Sequence, residues 1–131
     1  HSFIYHMIMN TQWQHQCINP NNMSEIKDIT DELVKFRNER DWEQFHNSKD
    51  LALAISIEAA ELNELFLWKK AEDVNLEKLK EELADVFAYA FLLAEKNNLD
   101  VKAIVLDKIK ANGEKYPVDK AKGSAKKYNE L

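Results

Sequence analysis

The chain has 131 residues, of which 45% are apolar, and a formal net charge of −5. This length supports one hydrophobic core and is too short for two ordinary domains. Its 18 basic and 23 acidic residues are mixed along the chain. The surface therefore lacks the strong positive field that supports duplex DNA binding, and we expect no nucleic-acid partner.

The cysteine content and the apolar runs indicate where the protein works. Cys17 is the only cysteine, so it cannot form an internal disulfide, and no Cys/His spacing predicts a zinc site. No apolar run approaches the roughly 20 residues that cross a bilayer. We expect a soluble, cytoplasmic protein without a membrane partner. Residues 1–22 lack periodicity and precede Met23, so we expect a leader or expression-derived segment that is partly disordered.

Helices are favoured because the chain has only two glycines and two prolines. Apolar residues at intervals of three and four predict four helices. Their predicted bounds are Ser24 to about Arg40, about Lys49 to Trp68 after a Ser48 cap, an Asn75 cap to about Lys96, and an Asp100 cap to Asn112-Gly113. Short connections favour an antiparallel four-helix bundle over residues 23–117, followed by a polar, Lys-rich tail at 118–131. So small a bundle with this much apolar surface is expected to oligomerise.

The second and third predicted helices carry carboxylates where apolar side chains are expected. At 100° per residue, Glu58 lies in the middle of the apolar arc of the second helix, and Glu61 lies at its edge. On the third helix, Glu82 lies among apolar residues and Asp85 lies at the edge of the arc. The pattern therefore turns four carboxylates toward the interior, where unpaired ionised groups are costly and repel one another.

A divalent cation would offset this charge, since the apolar arcs of these helices supply no Lys or Arg. Mg²⁺ is the natural candidate, because it binds through few carboxylates together with substrate phosphates. One Glu-x-x-Glu pair alone is typical of a solvated helix face, and the second pair favours a metal site. Glu64 and Glu81 are predicted to point elsewhere. A di-iron bundle needs two Glu-x-x-His motifs, and only Glu43-x-x-His46 fits, in a connection.

The motifs Glu58-Ala-Ala-Glu61 and Glu82-Leu-Ala-Asp85 resemble the signature of the MazG-like all-α nucleoside triphosphate pyrophosphohydrolases. That signature is Glu-x-x-Glu followed, after a variable gap, by Glu-x-x-Asp. The segments at 39–46, 61–68 and 112–117 look like the dCTP pyrophosphatase branch of the family in particular. The resemblance extends from about Ile26 to Leu131.

The resemblance implies a hydrolase that uses Mg²⁺, or Mn²⁺ in its place, and converts a dNTP to its monophosphate and pyrophosphate. The implied substrate is dCTP, and the implied role is house-cleaning of the nucleotide pool. The implied metal ligands are Glu58, Glu61, Glu82 and Asp85, and Glu58 or Glu61 would also orient or deprotonate the attacking water. The implied substrate contacts are Trp42, Trp68 and Tyr89 at the nucleoside and Lys108, Asn112 and Tyr116 at phosphate or sugar. The implied assembly is a homotetramer, a dimer of dimers.

The residues by themselves leave plainer interpretations open. Trp42 and Trp68 suit core packing, because tryptophan is usually mostly buried. Lys108, Asn112 and Lys115 share one face of the fourth helix, which is typical of solvated residues as well as of a phosphate contact. Arg37 and Arg40 are interpreted as surface residues or subunit contacts.

The substrate and even the enzymatic activity have alternatives. Leu33 stands where some relatives carry a His near the base pocket, which leaves the base preference open. The same chemistry on dATP, dUTP or a damaged nucleotide is the alternative within enzymes. A helical interaction module, with acidic clusters that bind no metal, is the alternative outside them.

Overall fold

Helices dominate residues 24–131, the part of the chain that the computed structural model describes. The longer helices are α1 (Glu25–Glu39), α2 (Ser48–Glu64), α3 (Leu76–Lys96) and α4 (Val101–Lys115), followed by the short α5 (Val118–Ala121). Short 3-10 helices occupy Glu43–Phe45, Ala71–Asp73 and Tyr128–Glu130. No strand occurs in residues 24–131, so the all-α class is confirmed. The predicted leader, 1–22, lies outside the described residues.

Polar side chains cap the N-termini of the four longer helices. Asn75 and Asp100 accept hydrogen bonds from backbone N–H groups in the first turns of α3 and α4, as predicted. The predicted Ser48 cap is wrong, because Ser48 is already helical. Asn47, in an extended conformation, accepts instead from the backbone N–H of Asp50 at 2.9 Å. Ser24 caps α1 in the same way.

Two predicted helix ends are wrong. α2 ends at Glu64, not at Trp68, because the next residues form i→i−3 hydrogen bonds, beginning with Leu65 N–H to Leu62. Trp68 then adopts a positive φ of 60°, which is incompatible with a right-handed α-helix. α4, in contrast, runs through Gly113 to Lys115. The predicted tail begins with the short helix α5.

The chain divides into two compact units after Asn98. In the first unit, α3 packs on both α2 and α1, with a core of Leu51, Ala88, Tyr89 and Leu92. Asn97 donates a hydrogen bond to Ser48 at 3.0 Å, which brings the end of α3 to the start of α2. These two helices are therefore antiparallel, and the side chains between them define the candidate site.

Arg37 joins α1 to α3 from inside the first unit. Its guanidinium lies 3.1 Å from a Glu95 carboxylate oxygen, and the residue is 4% exposed. The interpretation of Arg37 as a surface residue is therefore wrong. Arg40 is half-buried, with its guanidinium 3.3 Å from the centre of the Phe36 ring. Both arginines thus stabilise the packing of α1.

The second unit is Leu99–Leu131, which contains α4 and α5. Within it, the rings of Tyr116 and Tyr128 meet edge to face at 6.2 Å, and the Lys115 ammonium lies 5.4 Å from the Tyr128 ring. The predicted four-helix bundle and its domain limits at 23 and 117 stay predictions. No helix in residues 24–131 is long and apolar enough to span a membrane.

Candidate metal centre

Three carboxylates from α2 and α3 meet at one point. Glu58 and Glu61 lie one turn apart on α2, and Glu82 faces them from α3. One carboxylate oxygen from each lies within 4.8 Å of the other two. Oxygens that share one Mg²⁺ at about 2.1 Å are at most about 4.2 Å apart, so small side-chain movements bring this group to ligand geometry.

The burial of the carboxylates agrees with the sequence on α2 and differs on α3. Glu58 is 2% exposed and Glu61 is half-buried, as their positions on the apolar arc predict. On α3, Asp85 is 2% exposed, whereas Glu82 is half-buried. Glu82 was predicted to be more buried than Asp85, which is wrong. The reason is that α3 packs on two helices at once, which moves the centre of its buried face to Asp85, Ala88 and Leu92. Asp85 is one turn from Glu82 and outside the 4.8 Å group.

The electrostatics of the group favour a cation. Burial raises the pKa of Glu82, and the nearby carboxylates of Glu61 and Asp85 raise it further. The Oε2 atom of Glu82 is buried and accepts no hydrogen bond from the described residues. A buried carboxylate oxygen that lacks a donor, beside other carboxylates, suits a hard divalent ion. The chemistry of the donor set therefore fits Mg²⁺.

Tyr89 borders the carboxylates from one turn further along α3. Its pKa is raised above the usual range, first by burial and then by the charges of Glu58 and Asp85. The hydroxyl therefore stays protonated at neutral pH and can donate a hydrogen bond. Trp42 packs against the core that contains Tyr89, with its ring 6.1 Å from that of Phe36.

The other predicted substrate contacts lie elsewhere in the chain. Trp68 is 96% exposed in the turn after α2. Lys108 and Asn112 are exposed on α4, and Tyr116 is the C-cap of that helix, all in the second unit. The structure thus places Tyr89 beside the carboxylates and Trp42 against the same core, and the roles of all six residues stay predictions.

A cavity of about 380 Å³ opens beside the carboxylate group. Glu61 and Glu82 line it together with Glu64, Lys69 and Lys78. Glu64, which was predicted to point elsewhere, is exposed and outside the 4.8 Å group, although it lines this cavity. The sequence analysis predicted neither lysine as a site residue. The spacing of four between Lys78 and Glu82 is a signal for Lys78, because it places these two residues on one face of α3. Lys69 follows an irregular turn, and no periodicity indicates its direction.

The Glu43-x-x-His46 motif of the di-iron alternative belongs to a different environment. Glu43 lies 3.9 Å from both Arg37 and Lys96, near the C-terminal end of α3. His46 is buried, and its pKa is lowered by burial and by the neighbouring charges of Arg37 and Lys96. Neither residue joins the carboxylate group found among the described residues.

Comparison with known proteins agrees with this geometry. The model of the MazG-like family matches residues 53–131, a range that contains all four carboxylates. A protein from Bos taurus named dCTP pyrophosphatase 1 is 40% identical, over 81% of this chain and 68% of its own length. The chain belongs to the MazG-like family.

Two further proteins are similar to this chain. dCTP pyrophosphatase 1 from Homo sapiens is 39% identical, over 81% of this chain and 67% of its own length. A crystal structure of a pyrophosphatase from Archaeoglobus fulgidus has a TM-score of 0.67 and 33% identity, covering 76% of this chain and 99% of that one. The resemblance to the dCTP pyrophosphatase branch, inferred from the sequence, is confirmed.

Proposed function

We propose that this chain is a Mg²⁺-dependent enzyme that hydrolyses dCTP to dCMP and pyrophosphate and so removes unwanted nucleotides from the pool. The broader class, nucleotide pyrophosphohydrolase, is confirmed by relatives that are named for this activity. The metal, the base and the house-cleaning role are the proposal. The carboxylate group between α2 and α3 is the observation that carries it.

Four side chains would hold the metal, with Mn²⁺ as a substitute for Mg²⁺. They are Glu58, Glu61, Glu82 and Asp85, the residues of the MazG-like signature. When bound, Mg²⁺ offsets the negative charge of the triphosphate as the transition state forms. The buried oxygen of Glu82 that accepts no hydrogen bond from the described residues supports this assignment.

The chemical step is an in-line attack of water on the α-phosphorus. A bond forms between the water oxygen and the α-phosphorus, and the bond from that phosphorus to the α–β bridging oxygen breaks. Pyrophosphate leaves with the bonding electrons. Glu58 or Glu61 orients the water, and its carboxylate accepts the proton. No covalent enzyme intermediate is required.

The nucleoside would be held by aromatic side chains, with polar groups at the phosphates and sugar. Trp42, Trp68 and Tyr89 are assigned to the nucleoside, and Lys108, Asn112 and Tyr116 to phosphate or sugar. The protonated hydroxyl of Tyr89, next to the carboxylates, supports its part in this assignment. dCTP is proposed because the relatives from Bos taurus and Homo sapiens carry it in their names.

A homotetramer, a dimer of dimers, is proposed as the assembly. Large apolar side chains are exposed on the described helices, including Leu53 and Ile57 on α2 and Leu83 and Phe87 on α3. Subunit contacts would remove these side chains from water. Light scattering at micromolar concentration should give four times the chain mass, and a single monomer peak would contradict this assembly.

The test of the function is pyrophosphate release from each of the four normal dNTPs, with Mg²⁺ and with EDTA. We expect release that requires Mg²⁺, is fastest with dCTP, and is lost in Glu61→Gln. The matched control is Glu81→Gln, an exposed glutamate on α3, which should keep wild-type activity. Preference for dATP or dUTP would keep the mechanism and overturn the substrate. No release from any dNTP or damaged nucleotide would overturn the enzymatic function.

A further inference from the structure

Two lysines share the cavity with the carboxylates without neutralising them. Lys69 follows the turn after α2, and Lys78 lies in the first turn of α3. Within residues 24–131, neither ammonium lies within 4.0 Å of a carboxylate oxygen, although both line the same cavity as Glu61, Glu64 and Glu82. The cavity is therefore lined by carboxylates and by lysines that form no ion pair with them.

Lys78 occupies a defined place along α3. Lys78, Glu82, Asp85 and Tyr89 follow one another at spacings of four, three and four residues, so they form one stripe along the helix. At 1.5 Å per residue, Lys78 lies about 6 Å along the axis from Glu82, and Tyr89 lies about 10 Å away in the opposite direction. Exposure increases from Tyr89, which is buried, to Lys78, which is exposed.

This order matches the order of groups in a nucleoside triphosphate. If the α-phosphate lies at the carboxylates and the nucleoside lies on the Tyr89 side, the β- and γ-phosphates extend toward Lys78. Ammonium groups bind phosphate oxygens as point charges and do not require fixed geometry. An exposed lysine with a flexible side chain that lines the cavity can therefore bind these oxygens.

We propose that Lys78 and Lys69 bind the β- and γ-phosphates of the substrate and so make the enzyme prefer nucleoside triphosphates to diphosphates. This inference rests on the proposed function, and it adds substrate-binding residues that the acidic signature does not contain. The same pair would hold the leaving pyrophosphate until it is released.

The test uses full-length Lys78→Met, Lys69→Met and the double variant, with three readouts. These are kcat/KM for dCTP, kcat/KM for dCDP, and inhibition by inorganic pyrophosphate compared with dCMP. Each single substitution should lower the dCTP to dCDP preference about fivefold to tenfold and weaken pyrophosphate inhibition by a similar factor, as expected for a partly exposed charged contact. Inhibition by dCMP, which lacks both distal phosphates, should change less than twofold.

Two further variants separate phosphate binding from other effects. Lys78→Arg keeps the charge and should keep the triphosphate preference. Lys80→Met removes an exposed lysine that pairs with Glu77 at 2.8 Å, and its spacing from Glu82 places it on the opposite side of α3, so it should match the wild type. Thermal unfolding midpoints should be equal for all variants, because both cavity lysines are exposed.

The outcomes distinguish this inference from the proposed function. If the wild type releases pyrophosphate from dCTP and the Lys78 and Lys69 variants behave like Lys80→Met, the lysines do not bind the distal phosphates and the inference is wrong. If dCTP and dCDP turnover fall equally, neither lysine contacts the γ-phosphate and the triphosphate preference has another cause, which also overturns the inference. If the wild type releases no pyrophosphate from any nucleotide, the proposed function fails first.

Discussion

Removing one carboxylate from the metal-ligand group should stabilise the metal-free protein. Glu82→Gln keeps the size of the side chain and deletes a charge whose oxygen lies within 4.8 Å of two other carboxylates. Two unit charges at that distance repel by about 0.9 kcal/mol in water and by about 3.5 kcal/mol at an effective dielectric constant of 20. Because Glu82 is half-buried, we expect the free energy of unfolding in EDTA to rise by about 1 to 2 kcal/mol.

Magnesium should reverse the order of stability. A ligand that binds only the folded state adds about 2.7 kcal/mol at 100 times its dissociation constant. Wild type should therefore gain stability on addition of Mg²⁺, and Glu82→Gln should gain much less. Urea unfolding followed by circular dichroism, with EDTA or with Mg²⁺, measures both effects. Glu81→Gln, on the exposed side of α3, is the matched control and should respond to Mg²⁺ as the wild type does.

The pH dependence identifies the charge of Glu82 as the cause. Its pKa is raised in the folded state, so the repulsion is absent when Glu82 is protonated in both states, below the ordinary glutamate value of 4.5. In EDTA, the advantage of Glu82→Gln should appear as the pH rises from 4.5 through the raised pKa. If Glu82→Gln is less stable than wild type at pH 7 in EDTA, the carboxylates are structurally paired and do not repel one another as predicted.

Other substitutions test the fold around the site. His46 has a lowered pKa in the folded state, so wild type should lose stability as the pH falls through 6.5, and His46→Gln should flatten that dependence in urea titrations between pH 5 and 7. A dependence unchanged in the variant would contradict this assignment. Arg37→Met should lower the free energy of unfolding by about 2 to 3 kcal/mol, because it deletes the buried partner of Glu95, whereas Arg37→Lys should recover part of the loss. Leu92→Ala should cost about 3 kcal/mol, because Leu92 is fully buried in the core, and a loss below about 1 kcal/mol would place the core elsewhere.

The sequence predicts the helices well, because their signals are local. The caps at Asn75 and Asp100 and the extent of α3 follow from side chains within a few residues of each helix end. The end of α2 cannot be predicted from nearby side chains, because apolar residues continue to Trp68 while the backbone changes to i→i−3 hydrogen bonding. Apolar periodicity reports the face that a segment buries and does not report a change from an α-helix to tight turns.

The sequence predicts which carboxylates face the interior, but it predicts their relative burial only in part. Two acidic pairs inside apolar arcs identify Glu58 and Glu82 as inward-facing residues. The relative burial of Glu82 and Asp85 depends on where α1 packs against α3, and no local pattern contains that information. The position of Lys69 depends on the turn after α2 for the same reason. Tertiary packing therefore decides which charged groups share the cavity.

The products of dCTP hydrolysis in ¹⁸O-labelled water with Mg²⁺ show which phosphorus atom the water attacks. Attack of water on the α-phosphorus predicts equal amounts of dCMP and pyrophosphate, with one ¹⁸O atom in dCMP and none in pyrophosphate, and no reaction in EDTA. Label in pyrophosphate would place the attack on the β-phosphorus, and release of dCDP with inorganic phosphate would place the cleavage at the wrong bond. Either result would contradict the proposed reaction.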